Sequence, residues 1–267
     1  MKLIGKLAAA TAMLAASAVS AAEAPRYGGT LDIGSVYITL SALSWDPADF
    51  TWKSNHDTGG MYEQLFAADL AKAERNGGPY SFVLEAYLPK DAIKGELAES
   101  WEWKQDPPRV EIKLRRGVMF PGKPGVMEPR ELVASDVLNA YQRLHDSPKT
   151  QVGYFDHVAK VEAPDDHTVV FVFKNYFAEW DYRFGWGYYS GIYPKELSDK
   201  GIGDWKNATG SGPFTLTDYV QGNSATYVKN ASYWRKETIG GTEYKLPFVD
   251  KVVYHTIKDE ATWVAAL

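Results

Sequence analysis

The sequence predicts a mixed α/β fold, of the α+β kind, with strands and helices interleaved along the whole chain. Three stretches carry that expectation. Val110, Ile112 and Leu114 alternate with Glu111, Lys113 and Arg115, the period of a strand with one buried and one wet face. Val169 to Phe173 is apolar without a break, which fits a strand inside a sheet. Between them, Ser135 is placed to cap a helix whose buried stripe is Val137, Tyr141 and Leu144. Asp136 falls in its first turn, where a negative charge favours the helix dipole.

The remaining elements follow in chain order. Tyr27 to Ile33 reads as a turn leading into a short strand that Gly34 ends. Trp45-Asp46-Pro47 stops what precedes it, because proline disfavours helix at the residue before it. Met61, Tyr62, Leu65, Phe66 and Leu70 recur at helical spacing, so Thr58 to Ala73 is expected to be a helix. Asn76 to Pro79 is a loop rich in glycine and proline. Trp101 and Trp103 alternate like strand residues and are expected in the core. Asp165-Asp166 reads as a turn ahead of the strand at Val169. Pro194 opens a short helix and Gly201 closes it. Thr226 to Lys229 and Val249 to Ile257 are further strands. Asp259 and Glu260 look like the cap and first turn of a helix through Thr262, Trp263, Val264 and Leu267. The chain stops inside that apolar stretch, which predicts a truncated protein.

Met1 to Ala22 has the three parts of a secretory signal. Lys2 and Lys6 are the positive start, Leu7 to Val19 the apolar run, and Ser20-Ala21-Ala22 the small-residue close. The apolar run is too short for a bilayer core of about 30 Å. Export and a mature, unanchored chain from Glu23 are therefore expected. The absence of cysteine excludes lipid attachment, disulfides, thiolate catalysis and cysteine-ligated zinc. Without the signal, the 29 basic residues fall to 27 against 34 acidic ones. An acidic body without a basic stripe argues against nucleic acid as a partner.

Signatures of catalysis are missing. Thr209-Gly210-Ser211-Gly212 lacks the second spacing of a nucleophile elbow, and no His-Glu-x-x-His occurs. The histidines at 56, 145, 157, 167 and 255 are scattered singly, and no phosphate loop is present. The expectation is that the protein is not an enzyme and holds no metal or cofactor. Aromatic density does stand out: nine Trp, 17 Tyr and 11 Phe, several of them grouped in loops. Trp45, Phe50 and Trp52 form one group, and Trp180 to Tyr189 another. Such rings suit the wall of a binding cleft or the packing between domains, and for Trp186 to Tyr189 both readings stand. Gly185, Gly187 and Gly191 are expected to keep that stretch out of regular helix or strand.

The order of short segments resembles the family-5 extracellular solute-binding proteins, the dipeptide- and oligopeptide-binding proteins of ABC transporters. Tyr27-Gly28-Gly29-Thr30-Leu31 is similar to their opening, and Trp45-Asp46-Pro47 to their Leu-Asp-Pro step. Leu97 to Trp101 (LAESW), Ile112 to Phe120 (IKLRRGVMF) and Ala134 to Val137 (ASDV) follow in order. Ser211-Gly212-Pro213-Phe214 resembles the family's GTGPY/F turn, and Asn230 to Trp234 its N--YW motif.

The resemblance implies a bilobed fold like the type II periplasmic binding proteins, with only an incomplete lobe one and its inserted accessory domain present. Residues 1–22 would be the signal peptide and 23–48 the first segment of lobe one. Residues 49–153 would be the accessory domain and 154–267 the second segment of lobe one. It also implies a periplasmic monomer that captures a peptide or other small solute and delivers it to ABC permease subunits in the inner membrane. The ligand contacts it implies are Trp45, Trp52, Lys53, Trp186, Tyr188, Tyr189, Ser211, Gly212 and Phe214. The alternative reading is a secreted glycan-acting hydrolase with an aromatic-lined cleft.

Overall fold

The computed structural model describes residues 24–35, 45–49, 58–81, 88–257, 259, 261–262 and 264. The expected export signal, Trp52, Lys53, Trp263 and Leu267 lie outside the described residues. The strands begin with β1 (Thr30–Ser35), β2 (Phe66–Ala68), β3 (Ile93–Gly95), β4 (Ala98–Gln105), β5 (Pro108–Leu114), β6 (Met119–Phe120) and β7 (Arg130–Glu131). Helix α1 (Ala134–Asp146) is followed by β8 (Val158–Asp165), β9 (Thr168–Phe173) and the short helix α2 (Glu196–Lys200). Then come β10 (Phe214–Val220), β11 (Ser224–Lys229), β12 (Lys236–Ile239), β13 (Thr242–Lys245) and β14 (Lys251–Thr256). The mixed α/β class read from the sequence is the class observed.

Two four-stranded sheets organise these elements. The first runs β4-β5-β9-β8 and is antiparallel throughout. Val110, Ile112 and Leu114 are fully buried on one face of β5, as their alternation predicts, and Lys113 is exposed on the other. Burial of each such aliphatic side chain stabilises the fold by roughly 1.5–3 kcal/mol. β9 is an interior strand, consistent with its unbroken apolar run. Phe171 stacks on Phe184 with centroids 3.7 Å apart, and Val137, Ala140 and Leu144 of α1 belong to the same core.

Because β5 and β9 are hydrogen-bonded neighbours, this sheet joins residues from both sides of position 153.

The second sheet has the order β1-β14-β11-β10. β1 runs parallel to β14, with Thr30 opposite Lys251, while β14-β11 and β11-β10 are antiparallel. Leu216, Ala225, Tyr227 and Val252 bury its inner face. β1 lies at the edge, leaving Leu31 47% exposed, and continues through Ser35 rather than ending at Gly34.

Several local expectations are corrected. Thr58 to Ala73 is not a helix. Met61, Tyr62, Leu65 and Phe66 are all buried, not arranged as one stripe. Their backbone pairs laterally: Glu63 bridges Ile192, and β2 pairs with β3. Single 3-10 turns follow at Leu70–Lys72 and Glu74–Asn76. Ser135 sits inside α1 rather than capping it. The end is satisfied from the N3 position, where Asp136 accepts the Val133 N–H at 3.0 Å. Trp101 is 37% exposed at the sheet edge, meeting Phe66 edge-on, while Trp103 stacks on Phe173. The Asp165 turn, the Gly201 stop of α2 and the Asp259 cap of Thr262 are as expected.

Candidate functional site

The segment from Gly60 to Gln64 is a seam onto which three distant loops close. The carbonyl of Gly60 accepts the Phe214 N–H at 2.9 Å, and that of Met61 accepts the Gly212 N–H at 2.8 Å. The Glu63 carbonyl takes the Ile192 N–H at 2.8 Å. Glycine is required at 212: a Cβ there would lie 2.7–2.8 Å from the backbone of Met61 and Gly60. The turn is held from behind by Asn230, which is buried. Its side chain donates to the Gly212 carbonyl at 2.9 Å, and its backbone N–H to that of Pro213 at 2.8 Å.

Gln64 fixes the aromatic loop. Its Nε2 donates to the Gly187 carbonyl at 2.6 Å and to the Ser190 hydroxyl at 3.0 Å. Tyr182–Trp186 is a π-helical turn, so the glycines do not exclude helical backbone there. Gly185 instead permits close packing, since a Cβ would come within 2.3 Å of the Phe66 ring. Trp186, Tyr188 and Tyr189 are half-buried. Trp186 meets Tyr182 edge-on at 4.8 Å, and Tyr189 faces Tyr154 at 6.2 Å.

Of the sequence-predicted ligand residues, the structure brings Ser211, Gly212 and Phe214 to one end of the seam and Trp186, Tyr188 and Tyr189 near the other. Ser211 and Gly212 are fully buried, so the turn offers its half-buried Phe214 ring and little else from its side chains. Trp45 is 2% exposed, packed edge-on against Tyr219 at 5.1 Å. Its neighbour Asp46 is the anchor of that step: Arg143 of α1 donates to both its carboxylate oxygens, at 2.9 and 2.6 Å, and to the Tyr193 hydroxyl at 2.8 Å.

Beneath the seam lie two neighbouring acids, Glu63 buried and Glu96 half-buried. Both oxygens of Glu63 accept from the Trp234 indole N–H, at 2.9 and 3.1 Å. Burial, and then the nearby Glu96, push the Glu63 carboxyl up to about 8. Glu96 is also raised, chiefly by burial, although it accepts the Gln64 N–H at 2.9 Å. Arg115 lies over the Trp234 ring at 4.5 Å. Glu63, Gln64, Asn230 and Trp234 thus hold the loops in place. Sequence reasoning had Asn230 and Trp234 only as parts of a motif, and placed Glu63 and Gln64 on a helix.

Chemically, the arrangement presents a rigid, partly apolar wall of half-buried aromatic rings, with the backbone of Gly187 and Gly212 buried and hydrogen-bonded behind them. Among the described residues no group of three His, Asp or Glu is disposed to hold a metal, and no helix is long and apolar enough to cross a membrane.

Comparison with known proteins gives a consistent result. The family model for the middle region of bacterial extracellular solute-binding proteins, family 5, matches residues 92–267. Di/tripeptide-binding protein 2 of Pseudomonas aeruginosa is 31% identical over 177 residues, which is 59% of this chain and 33% of that protein. The probable ABC transporter periplasmic-binding protein SapA of Escherichia coli is 25% identical over 256 residues, 88% of this chain and 43% of the relative. Among solved structures, the periplasmic binding protein DppA of Helicobacter pylori in complex with peptide STSA superposes with a TM-score of 0.68 at 25% identity. That match covers 91% of this chain and 45% of the other. The chain spans a third to under half of the length of these relatives.

Proposed function

Because the chain belongs to the family 5 bacterial extracellular solute-binding proteins, which are binding proteins rather than enzymes, we propose that it forms part of the periplasmic solute-binding component of an ABC importer. It captures a peptide or similar small solute and delivers it, as a monomer, to permease subunits in the inner membrane. The region represented here supplies one wall of the cleft, and the further length found in the relatives supplies the other.

The observation that carries this reading is the convergence on one seam of the Ser211–Phe214 turn and the loop fixed by Gln64. A wall of this kind binds by packing of its rings, which suits solutes whose side chains vary. Trp186, Tyr188, Tyr189 and Phe214 are its apolar contacts, with Trp52 and Lys53 added from the sequence. Trp45, being buried, offers a solute no surface.

Calorimetric titration of the protein with a series of di- and tripeptides tests this. Binding without peptide cleavage is expected, weakened by Trp186→Ala and by Phe214→Ala in variants that remain folded by circular dichroism. Affinity unaltered in both variants would overturn the assignment of the wall, and peptide hydrolysis would overturn the binding-protein reading.

A further inference from the structure

A pocket of about 350 Å³ lies beside the aromatic loop, between residues 88–90 and 178–186. Trp186, one of the rings of the proposed solute wall, also lines this pocket, with Leu88, Pro89, Ala178 and Tyr182. Both sides are held. The Pro89 carbonyl accepts the Ala92 N–H at 2.8 Å, closing the turn that follows Leu88. Opposite, the Gly187 N–H donates to the Tyr182 carbonyl at 2.9 Å, and Trp186 packs edge-on against Tyr182. The Trp186 Nε1 is buried and finds no acceptor among the described residues, so the ring offers this pocket carbon rather than a donor.

Each charge on the lining has its partner. Lys90 is ion-paired with the buried Asp181 carboxylate and lies over the Trp180 ring at 5.6 Å. Glu179 faces Arg183, four residues on, at 3.5 Å. Arg183 in turn donates to the Tyr154 carbonyl at 3.2 Å and lies over the Tyr154 ring at 4.2 Å. Two cations thus stand against two carboxylates, and the apolar side chains set the chemistry of the interior. An ammonium or carboxylate entering it would lose water without gaining a partner. Ligand pockets run from about 300 to 1,000 Å³, so this one is sized for a single side chain rather than a whole solute.

We propose that this pocket is a specificity subsite of the solute wall, taking one aromatic or large aliphatic side chain of the solute against Trp186, Tyr182 and Leu88. The inference rests on the solute wall proposed above and adds the class of solute preferred: a peptide carrying a large apolar side chain. Trp186 is the link, because it belongs to wall and pocket at once. An aromatic side chain meeting Trp186 and Tyr182 gains edge-to-face or offset packing beyond the area it buries.

Calorimetric titration of the whole chain with Ala-Phe, Phe-Ala, Ala-Ala and the two corresponding lysine dipeptides measures the preference. The tighter of the two phenylalanine peptides is expected to bind about tenfold more tightly than Ala-Ala, from the added apolar area. Neither lysine peptide is expected to exceed Ala-Ala. Ala178 is exposed, so Ala178→Trp puts a ring into the pocket from a surface position and should collapse the phenylalanine-to-alanine ratio towards one. Leu88→Asp, which sets an unpaired charge on the lining, should lower the same ratio. Binding of none of the peptides would overturn the solute wall and the subsite with it. Peptide binding with equal affinity for phenylalanine and alanine, with a lysine peptide tightest, or with a ratio unchanged in both variants would overturn the subsite alone. Equal affinity for 3-phenylpropionamide and the phenylalanine peptide would also overturn it, since the phenyl group would then bind without the solute's backbone.

Discussion

Arg143 grips Asp46 through both carboxylate oxygens across 97 positions of sequence. The pair ties the Trp45-Asp46-Pro47 step to α1, and so to the four-stranded sheet beneath it. Replacing Asp46 by Asn removes the charge and half the geometry. The expected cost is about 2 kcal/mol, because Arg143 is left partly buried without its counter-ion. Urea denaturation measures it, and a double-mutant cycle with Arg143→Ala should return a coupling well above that of an exposed ion pair.

Glu63 makes stability depend on pH in a definite direction. An unfolded chain ionises this carboxyl near 4.5, whereas the folded protein keeps its proton up to about 8. The folded state therefore binds more protons through that window, and stability falls as pH rises across it. Glu63→Gln, neutral at every pH, should flatten the decline in melting temperature between pH 5 and pH 8. A decline of the same slope in the variant would assign it elsewhere.

Gly212→Ala should displace the Ser211–Phe214 turn from the seam. The added methyl would meet the carbonyls of Gly60 and Met61 at 2.8 and 2.7 Å, backbone that cannot rotate away. A loss of roughly 1–3 kcal/mol is expected by chemical denaturation, with reduced solute affinity.

Gln64→Ala cuts both hydrogen bonds to the aromatic loop. Stability should drop by about 1 kcal/mol, and amide hydrogen exchange at 187–191 should quicken while that of β5 and β9 holds steady. Solute binding weakened by the loosened loop is the functional counterpart.

What the sequence made legible follows from period and local sterics. Val110, Ile112 and Leu114 alternate because one face of β5 is covered, and Val169 to Phe173 is continuously apolar because both faces of β9 are covered. The segment from Thr58 failed for the converse reason. Buried on several sides by loops remote in sequence, Met61, Tyr62, Leu65 and Phe66 mimic a helical stripe without forming one. The same distance hid the roles of Glu63 and Gln64, whose partners Trp234 and Gly187 lie 171 and 123 positions away. The aromatic loop and the Ser211–Phe214 turn were visible as candidates; their common support was not.

The parallel pairing of β1 with β14 joins strands more than two hundred positions apart. A chain made from its amino terminus must complete nearly all of that stretch before β1 finds its partner, roughly 10–40 s at ~5–20 residues/s. Closing so long a loop also puts the contact late in folding. The second sheet is therefore the last to finish, and the nascent protein spends its synthesis with that end open.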